Sequence, residues 1–146
     1  MTLVARIRAL PADLDDLAGA AAAEGFGMLG VLAREWVAGT QRFAMPEEAL
    51  FAARDGAGVL LGIGGVTRDP WAPALRMRRF YVRPPARGRG IGRALVAAAL
   101  DHARGAGAAM VRLRAPAAAA RFWEGCGFRP IDDPTATHGL EWPGRG

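Results

Sequence analysis

The feature that most constrains this chain is a glycine-rich segment between an extended run and an apolar helical run. It reads Arg87-Gly88-Arg89-Gly90-Ile91-Gly92-Arg93-Ala94. Glycine lets the backbone adopt positive φ values and approach a ligand closely. The first turn of a helix presents unpaired N–H groups and the positive end of the helix dipole. With three arginines at the same place, the segment predicts a strand–loop–helix unit that binds a polyphosphate.

The spacing of the glycines excludes two common phosphate-binding motifs. A P-loop requires a lysine, and the chain contains none. The dinucleotide fingerprint Gly-x-Gly-x-x-Gly fails because, counted from Gly88, its last position is Arg93. The pattern Arg/Gln-x-x-Gly-x-Gly/Ala does fit, with Arg87, Gly90 and Gly92. It resembles the coenzyme A pyrophosphate loop of the GNAT superfamily of acyl-CoA N-acyltransferases.

Two further segments support this resemblance. Phe80-Tyr81-Val82-Arg83-Pro84 is similar to the strand that precedes the family's loop, and Arg121-Phe122-Trp123-Glu124-Gly125-Cys126-Gly127-Phe128 is similar to its Phe-Tyr-Glu-x-x-Gly-Phe segment. The resemblance implies an N-acetyltransferase that moves an acetyl group from acetyl-CoA to a primary amine of a small molecule or protein, by direct attack on the thioester. It implies that acetyl-CoA contacts Phe80, Tyr81, Val82, Arg87, Gly88, Arg89, Gly90, Ile91, Gly92, Arg93, Phe122 and Trp123.

Hydrophobic periodicity predicts an α/β fold in one domain over residues 1–146, with a mixed, mostly antiparallel sheet flanked by helices. The resemblance implies the same fold. The predicted strands are 4–10, 48–54, 59–67, 75–82, 110–115, 128–131 and 137–142. The predicted helices are 13–24, 28–37, 91–104 and 117–125, with Asp13 as the N-cap of the first and Pro116 preceding the last.

The strand before the glycine loop is predicted to contain a β-bulge. Its buried-type residues Met77, Phe80 and Val82 are spaced by three and then by two, which breaks strict alternation. In the resembled family such a strand splays from its neighbour and pairs with the pantetheine arm. A backbone N–H there can hydrogen-bond the thioester oxygen as it gains negative charge. The alternative is a regular strand that changes face at its end.

The proton donor to the leaving thiolate departs from the family pattern. The usual tyrosine is replaced by Trp123, whose indole N–H donates a hydrogen bond but does not ionise at neutral pH. The thiolate can leave without help, or Tyr81 or Cys126 can serve as donor. Because both this position and the usual base position are altered, an acyl-CoA-binding module with little or no turnover is the alternative to an enzyme.

The general base is not fixed by a motif. His138 is a candidate because histidine changes charge near neutral pH. The other candidates are Glu24, Asp132, Asp133 and a water chain to solvent. Where the family often has a glutamate before the loop, this chain has Arg78 and Arg79. If either faces the acceptor, it favours an acceptor that carries a carboxylate or phosphate.

Composition narrows the remaining function classes. The net charge of +5 comes from dispersed arginines without a dense basic block, so no nucleic-acid partner is expected. No apolar run is long enough for a bilayer and the N-terminus lacks a signal-peptide pattern, so we expect no membrane partner. A single cysteine and no Cys–His spacing favour a cytoplasmic protein without a metal. A homodimer is compatible with the resemblance.

Overall fold

The computed structural model describes residues 1–143 of the chain. Its seven strands are β1 (Leu3–Ile7), β2 (Ala49–Arg54), β3 (Leu60–Arg68), β4 (Leu75–Val82), β5 (Met110–Leu113), β6 (Arg129–Asp133) and β7 (Ala136–Glu141). Its four α-helices are α1 (Leu14–Ala23), α2 (Met28–Ala38), α3 (Ile91–Gly105) and α4 (Ala120–Gly125). Every predicted strand and helix is present within a few residues of its expected bounds.

The strands form one sheet in the order β1-β2-β3-β4-β5-β7-β6. Neighbouring strands are antiparallel except β4 and β5, which are parallel. The predicted mixed, mostly antiparallel sheet is therefore confirmed. Among the described residues no helix combines the length and apolarity needed to cross a membrane.

Each face of the sheet is covered by its own hydrophobic cluster. Helices α3 and α4 pack on one face, around residues such as Met77, Leu95 and Trp123. Helices α1 and α2 pack on the other face, around residues such as Leu17 and Ile63. Consecutive side chains of a strand point to opposite faces, so each strand contributes to both clusters.

The predicted β-bulge in β4 is confirmed. Gly65 pairs with Arg78, whereas Ile63 pairs with Tyr81, so β4 has one residue more than β3 between these pairs. The bulge includes Arg79, whose φ of 62° lies in the left-handed region that non-glycine residues seldom occupy. Because of the extra residue, Met77 and Phe80 both face the α3 cluster, as their spacing predicted.

Three details differ from the sequence-based predictions. Strand β1 ends at Ile7 rather than residue 10, because its partner β2 begins at Ala49 and Ile7 already pairs with Leu50. Asp13 is the N-cap residue of α1, as predicted, but its side chain forms no capping hydrogen bond with the described residues. The segment after Pro116 first forms a 3₁₀ turn over Ala117–Ala119 and becomes α-helical at α4.

Candidate active site

A cavity of about 420 Å³ lies where β4, the glycine loop and the start of α4 meet. Most of its lining is apolar, with arginine side chains and glycine backbone at the loop end. The lining residues are Phe80, Tyr81, Val82, Ala86, Arg87, Gly88, Gly90, Ile91, Gly92, Arg93, Ala119, Phe122 and Trp123. Sequence segments that lie about thirty residues apart thus form one site.

The loop end of the cavity is built by the N-terminus of α3. Gly90 is the N-cap, and its φ of 78° is a left-handed conformation that favours glycine. The first intrahelical hydrogen bond runs from the Ala94 N–H to the Gly90 carbonyl at 3.0 Å. The N–H groups of residues 91–93 therefore have no carbonyl partner within the helix. A Cβ added at Gly90 would meet no protein atom within 4 Å, so the space above it is open for a ligand.

The strand end of the cavity is built by the free edge of β4. Within the described part of the chain, β4 and β5 pair only where Leu75 and Arg76 oppose Val111 and Arg112. Beyond that point β4 has no partner on this side. The Arg83 N–H donates to Leu61 on β3 at 2.8 Å. Since alternate N–H groups point to opposite edges of a strand, those of Phe80 and Val82 face the free edge.

The cavity floor is a set of edge-to-face aromatic contacts. The Trp123 ring lies 5.2 Å from the rings of Phe80 and Phe122, and 5.5 Å from that of Phe128. Trp123 is buried, with 7% of its surface exposed. Such contacts stabilise aromatic clusters beyond simple burial, so the position of each ring depends on the others.

Gly64 on β3 is a site residue that the sequence reasoning missed. A Cβ at this position would lie 2.4 Å from the Phe80 ring, which packs directly on the glycine. The signal was in the sequence, because glycine inside a strand often marks a close approach of another group. Gly64 therefore sets how deeply Phe80 sits beside the cavity.

The Arg87 side chain is held by a carboxylate from the other side of the sheet. Glu24, at the C-terminal end of α1, accepts hydrogen bonds from both terminal nitrogens of Arg87, at 2.6 and 2.9 Å. The same carboxylate accepts a hydrogen bond of 2.6 Å from the Tyr81 hydroxyl. The Arg87 hydrogen bonds and then the Tyr81 hydrogen bond lower the pKa of Glu24. Burial, followed by Glu24, raises the pKa of Tyr81 to about 12.

The other arginines of the loop differ in their contacts. Arg93 donates to the Gly125 carbonyl at 3.3 Å and so connects the start of α3 to the end of α4. Arg89 is exposed, and in residues 1–143 no hydrogen bond or ion pair engages its side chain. Arg89 does not line the cavity, but its guanidinium is free of such contacts within residues 1–143 and lies in the same loop.

Several candidate acid and base residues lie outside the cavity lining. His138 is buried on β7, and its Nε2 lies 3.0 Å from Glu124 Oε2. Asp133 lies 3.4 Å from Arg112. Cys126 is half-buried, and burial raises the pKa of its thiol. Within residues 1–143, no three His, Cys, Asp or Glu side chains group so as to hold a metal ion.

The two arginines at the bulge have different environments. Arg79 forms an ion pair of 2.8 Å with Glu35 on α2. The Arg78 Nε donates to the Thr67 hydroxyl at 3.3 Å, and no carboxylate among the described residues forms an ion pair with Arg78. Both side chains lie on the face of the sheet that α1 and α2 cover, opposite the α3 cluster.

Comparison with known sequences agrees with this geometry. The profile of the acetyltransferase (GNAT) domain matches residues 46–130, which include β4, the glycine loop, α3 and α4. The chain belongs to the GNAT acetyltransferase family. No curated protein matches the chain in a sequence search.

Solved structures of GNAT proteins share the fold. A protein of Exiguobacterium sp. 255-15 assigned as an acetyltransferase gives a TM-score of 0.88 at 26% identity, over 97% of this chain and 93% of that one. Glucosamine-6-phosphate N-acetyltransferase from Arabidopsis thaliana gives 0.66 at 16% identity, over 94% and 97%. An assigned streptothricin acetyltransferase of Bacillus anthracis str. Ames, in complex with acetyl coenzyme A, gives 0.60 at 18% identity, over 68% and 65%.

Proposed function

We propose that this GNAT protein is an acetyl-CoA-dependent N-acetyltransferase, and that it acts on a primary amine of a small molecule or protein. One observation carries the proposal. The cavity joins two sets of unpaired backbone N–H groups, one at the start of α3 and one on the free edge of β4. A pyrophosphate and an amide-containing arm are the groups that such a pair of edges can bind.

The residues around the cavity fit acetyl-CoA as the acetyl donor. The N–H groups of residues 91–93, the positive end of the α3 dipole and Arg89 would hold the pyrophosphate. The edge of β4 at Phe80 and Val82 would pair with the pantetheine arm. The arm would then reach the aromatic floor at Trp123, where the acyl group would lie. When bound, acetyl-CoA supplies a thioester, which is an activated acyl group.

Acetyl transfer from the thioester to the amine involves two bond changes and two proton transfers. The amine nitrogen forms a bond to the acetyl carbon, the carbon–sulfur bond breaks, the amine loses a proton and the thiolate takes one up. N–H groups on the free edge of β4 would stabilise the negative charge on the acyl oxygen. A thiol has a pKa of about 8.5, so the thiolate can leave without a protein acid.

The neighbouring side chains have supporting roles in this proposal. Trp123 shapes the acyl end of the cavity without transferring a proton. Tyr81 is protonated at neutral pH because its pKa is about 12, so it acts as a hydrogen-bond donor and not as a base. This proposal assigns no proton transfer to His138, whose Nε2 lies 3.0 Å from Glu124 Oε2 and which does not line the cavity. With one cysteine in the chain and no internal disulfide to form, we place the enzyme in the cytoplasm.

The deciding experiment is release of free coenzyme A from acetyl-CoA over a panel of primary amines, with the acetylated product identified by mass spectrometry. The proposal requires amine-dependent release of coenzyme A in stoichiometric amounts with an N-acetyl product. Binding of acetyl-CoA without product over the whole panel would instead favour an acyl-CoA-binding module, to which the altered Trp123 position also points.

A further inference from the structure

We propose that Arg78 is the binding site for an oxyanion group, a carboxylate or a phosphate, on the acceptor amine. The proposal rests on the proposed function and adds to it the chemical class of the acceptor. It assigns the role to Arg78 and not to the neighbouring Arg79. Three observations support it: the place of Arg78 in the sheet, the pairing of the charges around it, and its partial burial.

Arg78 lies next to the point where β4 and β5 stop pairing, and an acceptor that entered between these strands would pass it. It directly precedes the bulge and is two residues before Phe80, which lines the cavity. Even two fully extended residues would span only about 7 Å, and the bulge at Arg79 shortens this distance. Arg78 faces the α1 and α2 side of the sheet, whereas Phe80 faces the α3 side. Within residues 1–143 β4 and β5 do not pair beyond Arg76, so no interstrand hydrogen bonds close the sheet between its two faces at this point.

Every other cation around Arg78 already has a carboxylate. Arg79 pairs with Glu35 at 2.8 Å. Arg76 and Arg112 share Asp69, at 3.4 and 2.9 Å. Glu35 and Asp69 are thus engaged by other arginines, and among the described residues neither forms an ion pair with Arg78.

Among the described residues the Arg78 side chain forms one hydrogen bond, which leaves most of its guanidinium available. Its Nε donates to Thr67, whose hydroxyl in turn donates to the Arg68 carbonyl at 3.2 Å. Within residues 1–143 the two terminal nitrogens of Arg78 have no hydrogen-bond partner, and neither is sealed from solvent. This end of the guanidinium is the one that binds carboxylates and phosphates through two parallel hydrogen bonds.

Partial burial makes an anionic ligand favourable here. Burial, followed by the nearby charges of Arg79 and Arg76, lowers the pKa of Arg78. The charged form is thus destabilised by its surroundings, and a bound oxyanion would compensate for this. A half-buried cation attracts an anion more strongly than a fully solvated one because the local dielectric constant is lower. An oxyanion on the acceptor would hold its amine beside the gap between β4 and β5.

The test compares amines that differ only in the anionic group. O-phosphoethanolamine is matched with ethanolamine, and β-alanine with propylamine, so that the phosphate and carboxylate arms are read separately. We expect the wild-type kcat/KM to favour at least one anionic member by tenfold or more, the scale of a charge-assisted hydrogen bond. In Arg78→Gln this preference should fall to near one, while the affinity for acetyl-CoA and the melting temperature stay close to wild type.

Arg79→Gln is the matched comparison, since it removes an adjacent arginine that is already paired. It should lower activity on both members of a pair alike, because it releases Glu35 and α2, and so leave the preference unchanged. Equal or better reaction of the neutral amines in wild type, with coenzyme A released, would overturn the proposal. So would an anionic preference that survives Arg78→Gln.

A binding measurement separates this proposal from the proposed function. Calorimetry of O-phosphoethanolamine and β-alanine should show binding of the preferred compound by wild type and Arg79→Gln, and at least tenfold weaker binding by Arg78→Gln. If no amine releases coenzyme A, the proposed function is wrong, and the calorimetry alone then decides whether Arg78 binds an oxyanion. Equal binding of both compounds by wild type and Arg78→Gln would contradict the site.

Discussion

The Tyr81 hydroxyl donates a hydrogen bond of 2.6 Å to Oε1 of Glu24, and so fastens the end of α1 to β4. The same carboxylate holds Arg87 of the glycine loop, whose guanidinium carbon lies 5.5 Å from the centre of the Tyr81 ring. The Glu24 carboxylate thus connects the end of α1 both to β4, through Tyr81, and to the glycine loop, through Arg87. A ligand that draws Arg87 towards its phosphates would weaken the contact with Glu24.

The first prediction concerns the ionisation of Tyr81, which is the only tyrosine of the chain. Its tyrosinate absorbance should show a midpoint near 12 in the folded protein, compared with about 10 in the unfolded chain. Because the pKa of Tyr81 is higher in the folded than in the unfolded protein, the protonated hydroxyl stabilises the folded state. This stabilisation is fully present below about pH 10 and is lost as the pH rises through the folded pKa.

Glu24→Gln should lower this midpoint, since it removes the negative charge beside the hydroxyl. The midpoint should still exceed about 10, because burial is the larger cause of the shift. Asp15→Asn, which alters an exposed carboxylate of α1, serves as the control and should leave the midpoint in place. Circular dichroism identifies the pH range in which the chain is folded. An unchanged midpoint in Glu24→Gln would refute the assignment.

The second prediction concerns Asp69, whose side chain is fully buried between Arg76 and Arg112. Asp69→Asn removes the charge that neutralises two buried guanidinium groups, and should lower the free energy of unfolding by about 3–5 kcal/mol. Urea denaturation measures the change. Asp132→Asn, at an exposed position on β6, should change it by less than about 0.5 kcal/mol. If both variants lowered the free energy of unfolding by a comparable amount, the predicted role of Asp69 between the two arginines would be contradicted.

The stabilisation by the Asp69 carboxylate, which contacts Arg76 and Arg112, depends on pH. Although burial opposes it, the Trp71 N–H and the Arg112 guanidinium lower the pKa of Asp69 below its usual value. The stabilisation is therefore present above about pH 4, the usual aspartate pKa, and is lost as the pH falls through the folded value. In Asp69→Asn, the acid-induced loss of stability should be smaller than in wild type.

The third prediction concerns the contact of Gly64 with the Phe80 ring. Gly64→Ala places a methyl group 2.4 Å from a ring atom, so Phe80 must move away from Trp123. We expect a loss of about 1–3 kcal/mol in unfolding free energy and weaker binding of acetyl-CoA. Gly19→Ala, in α1 with open space around it, should instead stabilise the protein by about 0.5–1 kcal/mol. A Gly64→Ala protein with wild-type stability and affinity would show that the ring position is unimportant.

The fourth prediction separates shape from proton transfer at Trp123. Trp123→Phe keeps an aromatic ring and removes the N–H, so the turnover rate should stay within about tenfold of wild type. Trp123→Ala opens a cavity under Phe80 and Phe122, and should cost about 3–5 kcal/mol in unfolding free energy and weaken acetyl-CoA binding. A Trp123→Phe enzyme that binds acetyl-CoA normally but loses turnover by about 100-fold would identify the indole as a catalytic donor.

The sequence was sufficient for the local features of this fold. Periodicity located the helices and strands, and the three-then-two spacing of Met77, Phe80 and Val82 predicted the bulge that Arg79 occupies. The predicted end of β1 was wrong, because the strand stops at Ile7, where its partner strand β2 begins. The length of a strand depends on the neighbouring strand.

The contacts between distant segments were not predictable. Nothing in the local pattern indicates that Glu24 meets Arg87, because the packing of α1 on the sheet decides this contact. For the same reason, the sequence did not distinguish Arg78 from Arg79, because the Glu35 carboxylate that pairs with Arg79 comes from α2. The Asp13 side chain forms an ion pair of 2.7 Å with the distant Arg54 in place of a capping hydrogen bond on its own helix.

The central claim, that acetyl-CoA binds between the glycine loop and the free edge of β4, is tested most directly by calorimetry of acetyl-CoA binding to wild type, Gly90→Val and Gly107→Val. Both glycines have positive φ, 78° and 88°, and open space around them, so both variants bear a similar backbone strain. Only Gly90 lines the cavity. We expect wild type and Gly107→Val to bind with similar affinity, and Gly90→Val at least about tenfold more weakly, a loss of about 1.4 kcal/mol. Absence of binding by wild type, or equal affinities for the two folded variants, would contradict this account.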